Sequence, residues 1–221
     1  MEIKAIGSFK PTGTSQHQLD FPEIGLESGG RVPMPTYTRV QFIETTTLPD
    51  GKKRDRFRVQ DFEYQGQLAY STHTDKGTLL IDPPQYYGPC LVVWDKAAGE
   101  VVVSVPSDPF VAKVKAKAVS EPGVPDGTFE IRPWLNKSKE DGDFVCESYQ
   151  GDAPHACHWW QMTKYASKGY CLHRGNVSAG CISVQEGGKW EEIYRILSKC
   201  RTSDGRSTGA IIVKGHTSLT S

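Results

Sequence analysis

The chain carries one clear helical period and little room for others. Between Lys189 and Cys200, the residues Trp190, Ile193, Tyr194 and Leu197 fall at i, i+3, i+4 and i+7, on a single helical face. Elsewhere apolar residues alternate with polar ones or gather in short runs, and 22 glycines and 14 prolines punctuate the 221 residues. Gly and Pro end helices and open turns. A chain patterned in this way builds its core from strands, so the expected fold is mostly β with one main α-helix.

The alternation also suggests where the strands run. Thr38 to Glu44 and Phe57 to Val59 flank the turn signal Leu48-Pro49-Asp50-Gly51 and read as a hairpin. Gln67 to Tyr70 and Thr78 to Ile81 read as short strands, and the first 37 residues as loops with one or two short strands. Asp82-Pro83-Pro84 then interrupts the pattern, because Pro removes a ladder donor and restricts the residue before it. The expected division is a β-rich region over 1–85 and a second domain over 86–221. In that second part, Cys90 to Trp94 and Val101 to Val105 read as a hairpin. Phe110 to Val119 alternates, Phe144 and Val145 form a short strand, Gly169 to Leu172 is a strand that delivers His173, and Ala210 to Val213 closes the chain as a strand.

Composition narrows the function classes. The 26 basic and 26 acidic residues cancel, which argues against a nucleic-acid surface as the main partner. No apolar run reaches the length of a membrane span. The segment Met1 to Gly7 lacks a charged leader followed by an apolar stretch, so it does not read as a secretory signal. Six cysteines are present: Cys90, Cys146, Cys157, Cys171, Cys181 and Cys200. Spacing assigns no pairs among them, and they read mostly as reduced, buried, small apolar residues.

The chemistry concentrates in Leu172 to Val184. His173 precedes Cys181 by eight residues, with Gly and small polar residues between. Thiol catalysis needs a thiolate and a nearby base, and a loop from the end of one strand to the start of another supplies both. Gly180 lets the backbone approach a substrate carbonyl, and N–H groups around Cys181 are oxyanion donors. Ser178 either bonds near the catalytic pair or shapes the turn. Arg174 either binds a substrate carboxylate or is a solvated loop residue, and Asn176 reads as a turn residue. Trp159 and Trp160 belong either to the core or to the wall of a substrate cleft. His155, Cys157 and His158, with Cys171, His173 and Cys181, make a zinc-like inventory. The spacing contains neither a Cys-x-x-Cys pair nor His-x-x-x-His, so no metal and no cofactor is expected. His73 and His216 read as surface residues.

His173, Gly175, Ser178, Gly180 and Cys181 together resemble the His-Gly and Ser-x-Gly-Cys signature of the L,D-transpeptidase (YkuD) family. Val124-Pro125-Asp126-Gly127-Thr128-Phe129 resembles a Pro-x-Gly element that precedes a strand in the same family, so the likeness runs from Cys90 to Val213. Three departures stand out. Arg174 separates His173 from Gly175, the His-to-Cys loop is short, and Ser183 occupies a place where many members carry Arg. The short loop resembles the branch of transpeptidase-like toxins delivered by type VI secretion.

The resemblance implies a β-sandwich catalytic domain of YkuD type. It further implies Cys181 as nucleophile and His173 as base; beside them Arg174, Gly175, Asn176, Trp159 and Trp160 are the candidates for contact with a peptidoglycan stem peptide. The implied activity is L,D-transpeptidation, D-amino-acid exchange or L,D-carboxypeptidation at a secreted or periplasmic site. It also implies export by a route that reads no cleavable signal, a secretion-system component and an immunity protein as partners. Two other readings stay open: a non-enzymatic wall-binding β protein, and a cysteine peptidase acting on protein substrates.

Overall fold

The computed structural model describes residues 2–7, 21–120, 123–134, 153, 155–156, 158–163, 169–176 and 180–215. The chain divides into two compact units, Met1–Tyr86 and Tyr87–Ser221.

The first unit holds a seven-stranded sheet of β1 (Glu2–Ile6), β2 (Glu23–Leu26), β3 (Arg31–Pro33), β4 (Arg39–Thr47), β5 (Lys53–Val59), β6 (Leu68–Thr72) and β7 (Leu80–Ile81), in the order β3-β2-β6-β5-β4-β1-β7. The β4–β5 hairpin turns at Gly51, whose φ of 81° is the left-handed conformation that glycine adopts without cost. Ile6, Ile24, Met34, Val40, Phe57, Val59 and Ala69 form its core. His73, expected to be a bare surface residue, bonds through Nε2 to the buried Asp55 carboxylate at 2.8 Å. That carboxylate also accepts from Thr45 at 2.7 Å and from the Thr78 hydroxyl.

The second unit is a closed barrel. Its strands are β8 (Cys90–Asp95), β9 (Glu100–Ser104), β10 (Val114–Val119), β11 (Gly127–Pro133), β12 (Trp160–Met162), β13 (Cys171–Arg174), β14 (Ile182–Val184) and β15 (Gly209–Lys214), in the order β10-β14-β13-β12-β11-β15-β8-β9. The β-rich character agrees with the sequence, but the eight strands do not form the two stacked sheets of the expected sandwich. The reason lies in the pairings of β15 and β10. β15 joins β11 antiparallel and β8 parallel, while β10 joins both β9 and β14, so the sheet has no free edge. β10 begins at Val114 rather than at Phe110, whose side chain is exposed. The Phe144–Val145 strand lies outside the described residues.

Among the described residues there is one α-helix, α1 (Gly187–Leu197). It starts on two glycines, poor helix formers, so its stability comes from its apolar face. Trp190, Ile193, Tyr194 and Leu197 are all buried in the barrel unit's core, each contributing about 1.5–3 kcal/mol. Among the described residues no helix is long and apolar enough to cross a membrane.

β13 and β14 are parallel neighbours, in register as Leu172 with Ile182, His173 with Ser183 and Arg174 with Val184. Parallel neighbours commonly need a dozen or more connecting residues. Here both strands are so short that residues 175–181 suffice to return the chain to the start of the pair.

Candidate active site

Side chains alternate across a strand, and on β13 and β14 this separates core from chemistry. Leu172, Ile182 and Val184 enter the hydrophobic core. Cys171, His173 and Ser183 share the opposite face, and Cys181 lies just before β14 beside Cys171. The parallel register brings the two thiols together: Sγ of Cys171 lies 3.1 Å from Sγ of Cys181. A ring nitrogen of His173 and the two sulfurs all lie within 4.8 Å of one another.

The imidazole is fixed by its two nitrogens. Nδ1 lies 2.7 Å from the carbonyl oxygen of Arg174. A carbonyl only accepts, so Nδ1 carries the hydrogen. Nε2 lies 3.0 Å from Oγ of Ser183 and, in the neutral ring, accepts from that hydroxyl. The Trp159 indole stacks on the ring at 4.0 Å between centroids with an 8° interplanar angle. Gly175 completes the enclosure. A Cβ there would stand 3.1 Å from Cε1 of His173 and 3.2 Å from Oγ of Ser183.

Cys181 is half-buried, and its surroundings favour the thiolate. Its pKa is pushed down from 9.0 to about 5. The foremost cause is the S–H of Cys171 donating to it. Burial opposes the shift, while the hydrogen bond and charge of His173 add to it. When protonated, the Cys181 thiol has the carbonyl of Gly169 as acceptor at 3.6 Å. Gly169 itself has a φ of 68° and sits under the Trp134 indole, 3.1 Å from where a Cβ would be. Gly180, just before the thiol, is held at a φ of 108°.

The other expected residues divide. Arg174 is neither solvated nor on the thiol's face. It is 4% exposed, and its guanidinium donates to the carbonyl of Val184 and to Oδ1 of Asn176, both at 3.1 Å. Asn176 is exposed and serves as that anchor. Trp160 is in the core against Trp190 and Tyr194. Ser178, Cys146, Cys157 and His216 lie outside the described residues. Among the described residues Cys90, Cys171, Cys181 and Cys200 stand outside any disulfide.

The metal-like inventory also splits. The backbone N–H and Nδ1 of His155 both engage the Glu191 carboxylate, at 2.9 and 2.5 Å, and its ring stacks on Tyr194. Nε1 of Trp190 donates to the carbonyl of His155 at 2.9 Å. His155 thus pins its segment to α1. Cys171, His173 and Cys181 remain as three donors of the kind that bind zinc with a fourth position open. Two sulfurs on one tetrahedral zinc, each at about 2.3 Å, would stand about 3.8 Å apart. The 3.1 Å contact is closer than that, with Cys171 as donor to Cys181.

Two residues of the site were not singled out as functional from the sequence, Cys171 and Ser183. Both depend on a parallel register that no local signal announces. Comparison with known protein families, curated proteins and solved structures gave no match to this chain.

Proposed function

We propose that the barrel unit performs cysteine-dependent acyl transfer on peptidoglycan stem peptides, as an L,D-transpeptidase or L,D-carboxypeptidase of YkuD type. The observation that carries the thiol chemistry is the clustering of a partly accessible Cys181 with Cys171 and His173, whose donor atoms all lie within 4.8 Å of one another and whose contacts favour the thiolate. The substrate class rests on the resemblance carried by His173, Gly175, Ser178, Gly180 and Cys181.

In this reading the Cys181 thiol first passes its proton to Nε2 of His173, and the thiolate, paired with the imidazolium, attacks the carbonyl carbon that joins the L-centre of meso-diaminopimelate to D-alanine. Backbone amides beside Gly180 and Cys181 stabilise the oxyanion. The C–N bond breaks, and the leaving amine takes a proton from Nε2 of His173. Nε2 is the working nitrogen because Nδ1 is committed to the Arg174 carbonyl. The resulting thioester is attacked by an acceptor amine or by water, which gives up a proton to Nε2, and Cys181 departs as thiolate. An amine yields a cross-link or an exchanged D-amino acid, and water yields a shortened stem. The short His173-to-Cys181 spacing supports an antibacterial effector that acts in a rival's periplasm and is neutralised by an immunity protein.

The test is mass spectrometry of muropeptides from purified sacculi incubated with the protein, with Cys181→Ala and His173→Ala alongside. Loss or exchange of terminal D-alanine is expected with the parent, none with Cys181→Ala, and a rate lower by about 10²–10⁴-fold with His173→Ala. Turnover is expected to survive EDTA. Equal turnover by the parent and Cys181→Ala, or loss with EDTA that zinc restores, would overturn the thiol reading.

A further inference from the structure

We propose that Cys171 is a resolving thiol for Cys181, so that a hydroperoxide converts the pair into a reversible disulfide that holds the nucleophile in a recoverable form. The inference rests on the reading of Cys181 as the reactive thiol.

Geometry carries it. The two sulfurs stand 3.1 Å apart, about 1 Å beyond the roughly 2.05 Å of a disulfide. Extending the register of Leu172 with Ile182 by one rung sets Cys171 opposite Cys181. Adjacent strands run about 4.8 Å apart, inside the Cα separation of about 4.4–6.8 Å that a disulfide spans. Closure therefore needs side-chain rotation and no change of strand pairing.

Exposure assigns the roles. Cys171 is fully buried, whereas Cys181 is partly accessible. An oxidant in solution meets Cys181 first, and Cys171 attacks from within. The low pKa of Cys181 supplies the thiolate that peroxide requires. A contrast lies in the same unit. Cys90 and Cys200 are also neighbours, yet both are buried and the Cys90 thiol is pushed up by its contact with Cys200 and by burial. That pair has the proximity without the access.

The steps balance. The Cys181 thiolate takes one oxygen from the peroxide, giving a sulfenic acid as the O–O bond breaks and hydroxide leaves. The Cys171 sulfur then attacks the sulfenic sulfur, the S–O bond breaks, and water leaves with the thiol proton. Two thiols have lost two electrons and the peroxide has gained them. A dithiol reverses the change in two exchanges: one of its thiolates attacks the partly accessible Cys181 sulfur and releases Cys171, and its second sulfur then attacks the mixed disulfide, releases Cys181 and leaves the reagent as its own disulfide.

The experiment treats the full chain with hydrogen peroxide, alkylates the remaining thiols under denaturing conditions, and maps the digested peptides by mass spectrometry. Expected are a Cys171–Cys181 cross-linked peptide, alkylated Cys90 and Cys200, and full return of Cys181 alkylation after dithiothreitol. In Cys171→Ser, which keeps a hydrogen-bond donor, Cys181 should instead proceed to sulfinic acid, which dithiothreitol does not reverse, and in Cys171→Ala it should reach the same end more slowly because less of it is thiolate. A parent chain that accumulates sulfinic Cys181 without the cross-link, or that links Cys181 to Cys146 or Cys157, overturns the proposal. The parent map decides even if neither variant folds. Muropeptide turnover on the same sample separates the two claims. Turnover without the cross-link removes only the resolving thiol, and the cross-link without turnover removes only the peptidoglycan substrate.

Discussion

The hydroxyl of Ser183 stands 3.0 Å from Nε2 of His173, across the parallel pair of β13 and β14. With Nδ1 tied to the Arg174 carbonyl, the imidazole is held at both ends. Ser183→Ala removes one of the two holds, a hydrogen bond worth about 1 kcal/mol. Steady-state kinetics should show kcat lower by roughly five- to tenfold with KM unchanged. An unchanged kcat would mean that Ser183 only fills space.

The acid side of the pH profile belongs to Cys181. With its pKa at about 5, the sulfur is ionised through neutral pH, and protonation below that value removes the nucleophile. Iodoacetamide alkylation of Cys181 should therefore fall as pH drops through about 5 and lie flat above it. Cys171→Ala takes away the foremost cause of the depression, so the midpoint should climb towards the ordinary cysteine value. If the midpoint stays put in the variant, Cys171 is not the donor.

Gly175 is a sharper probe of the imidazole's position. The methyl of Gly175→Ala would lie 3.1 Å from His173 and 3.2 Å from Ser183, so the ring must move. Overpacking of this kind costs about 1–3 kcal/mol. The expected result is a modest drop in melting temperature with a large drop in Cys181-dependent turnover. A variant with full turnover would show that the ring position is not critical.

The adjacent tryptophans should separate cleanly. Trp160→Ala empties a core site and should destabilise the protein by about 3–5 kcal/mol. Trp159→Ala removes the ring stacked on His173, a contact worth about 0.5–1.5 kcal/mol, and should cost turnover more than stability. Thermal denaturation and muropeptide turnover, measured on both variants, check this. The reverse pattern would place Trp160, not Trp159, at the working face.

Local patterns in the sequence revealed local structure. The i, i+3, i+4, i+7 spacing of Trp190, Ile193, Tyr194 and Leu197 matches the buried face of α1, and alternation located the β4–β5 and β8–β9 hairpins. What it concealed is non-local. Barrel closure depends on β15 lying parallel to β8, a pairing between segments more than a hundred residues apart. The contact of Cys171 with Cys181 depends on β14 running parallel to β13. An antiparallel return would have set Cys181 opposite the other end of β13. From the sequence Arg174 reads as a carboxylate binder or a solvated loop cation, because nothing in its neighbours announces that β13 extends through it and buries it.

The short return between β13 and β14 gathers both thiols, the imidazole and its hydroxyl partner into positions 171–183. The reactive set is thus inherited as one contiguous cassette. The other six strands of the barrel are free to drift in sequence so long as they hold its ends. One residue inserted between Cys181 and Ile182 would move the thiol off its rung opposite Cys171 while Leu172 still paired with Ile182, and would silence the chemistry in a protein that still folds. The spacing of each thiol from its own strand, rather than the make-up of the rest of the barrel, decides whether the two sulfurs meet.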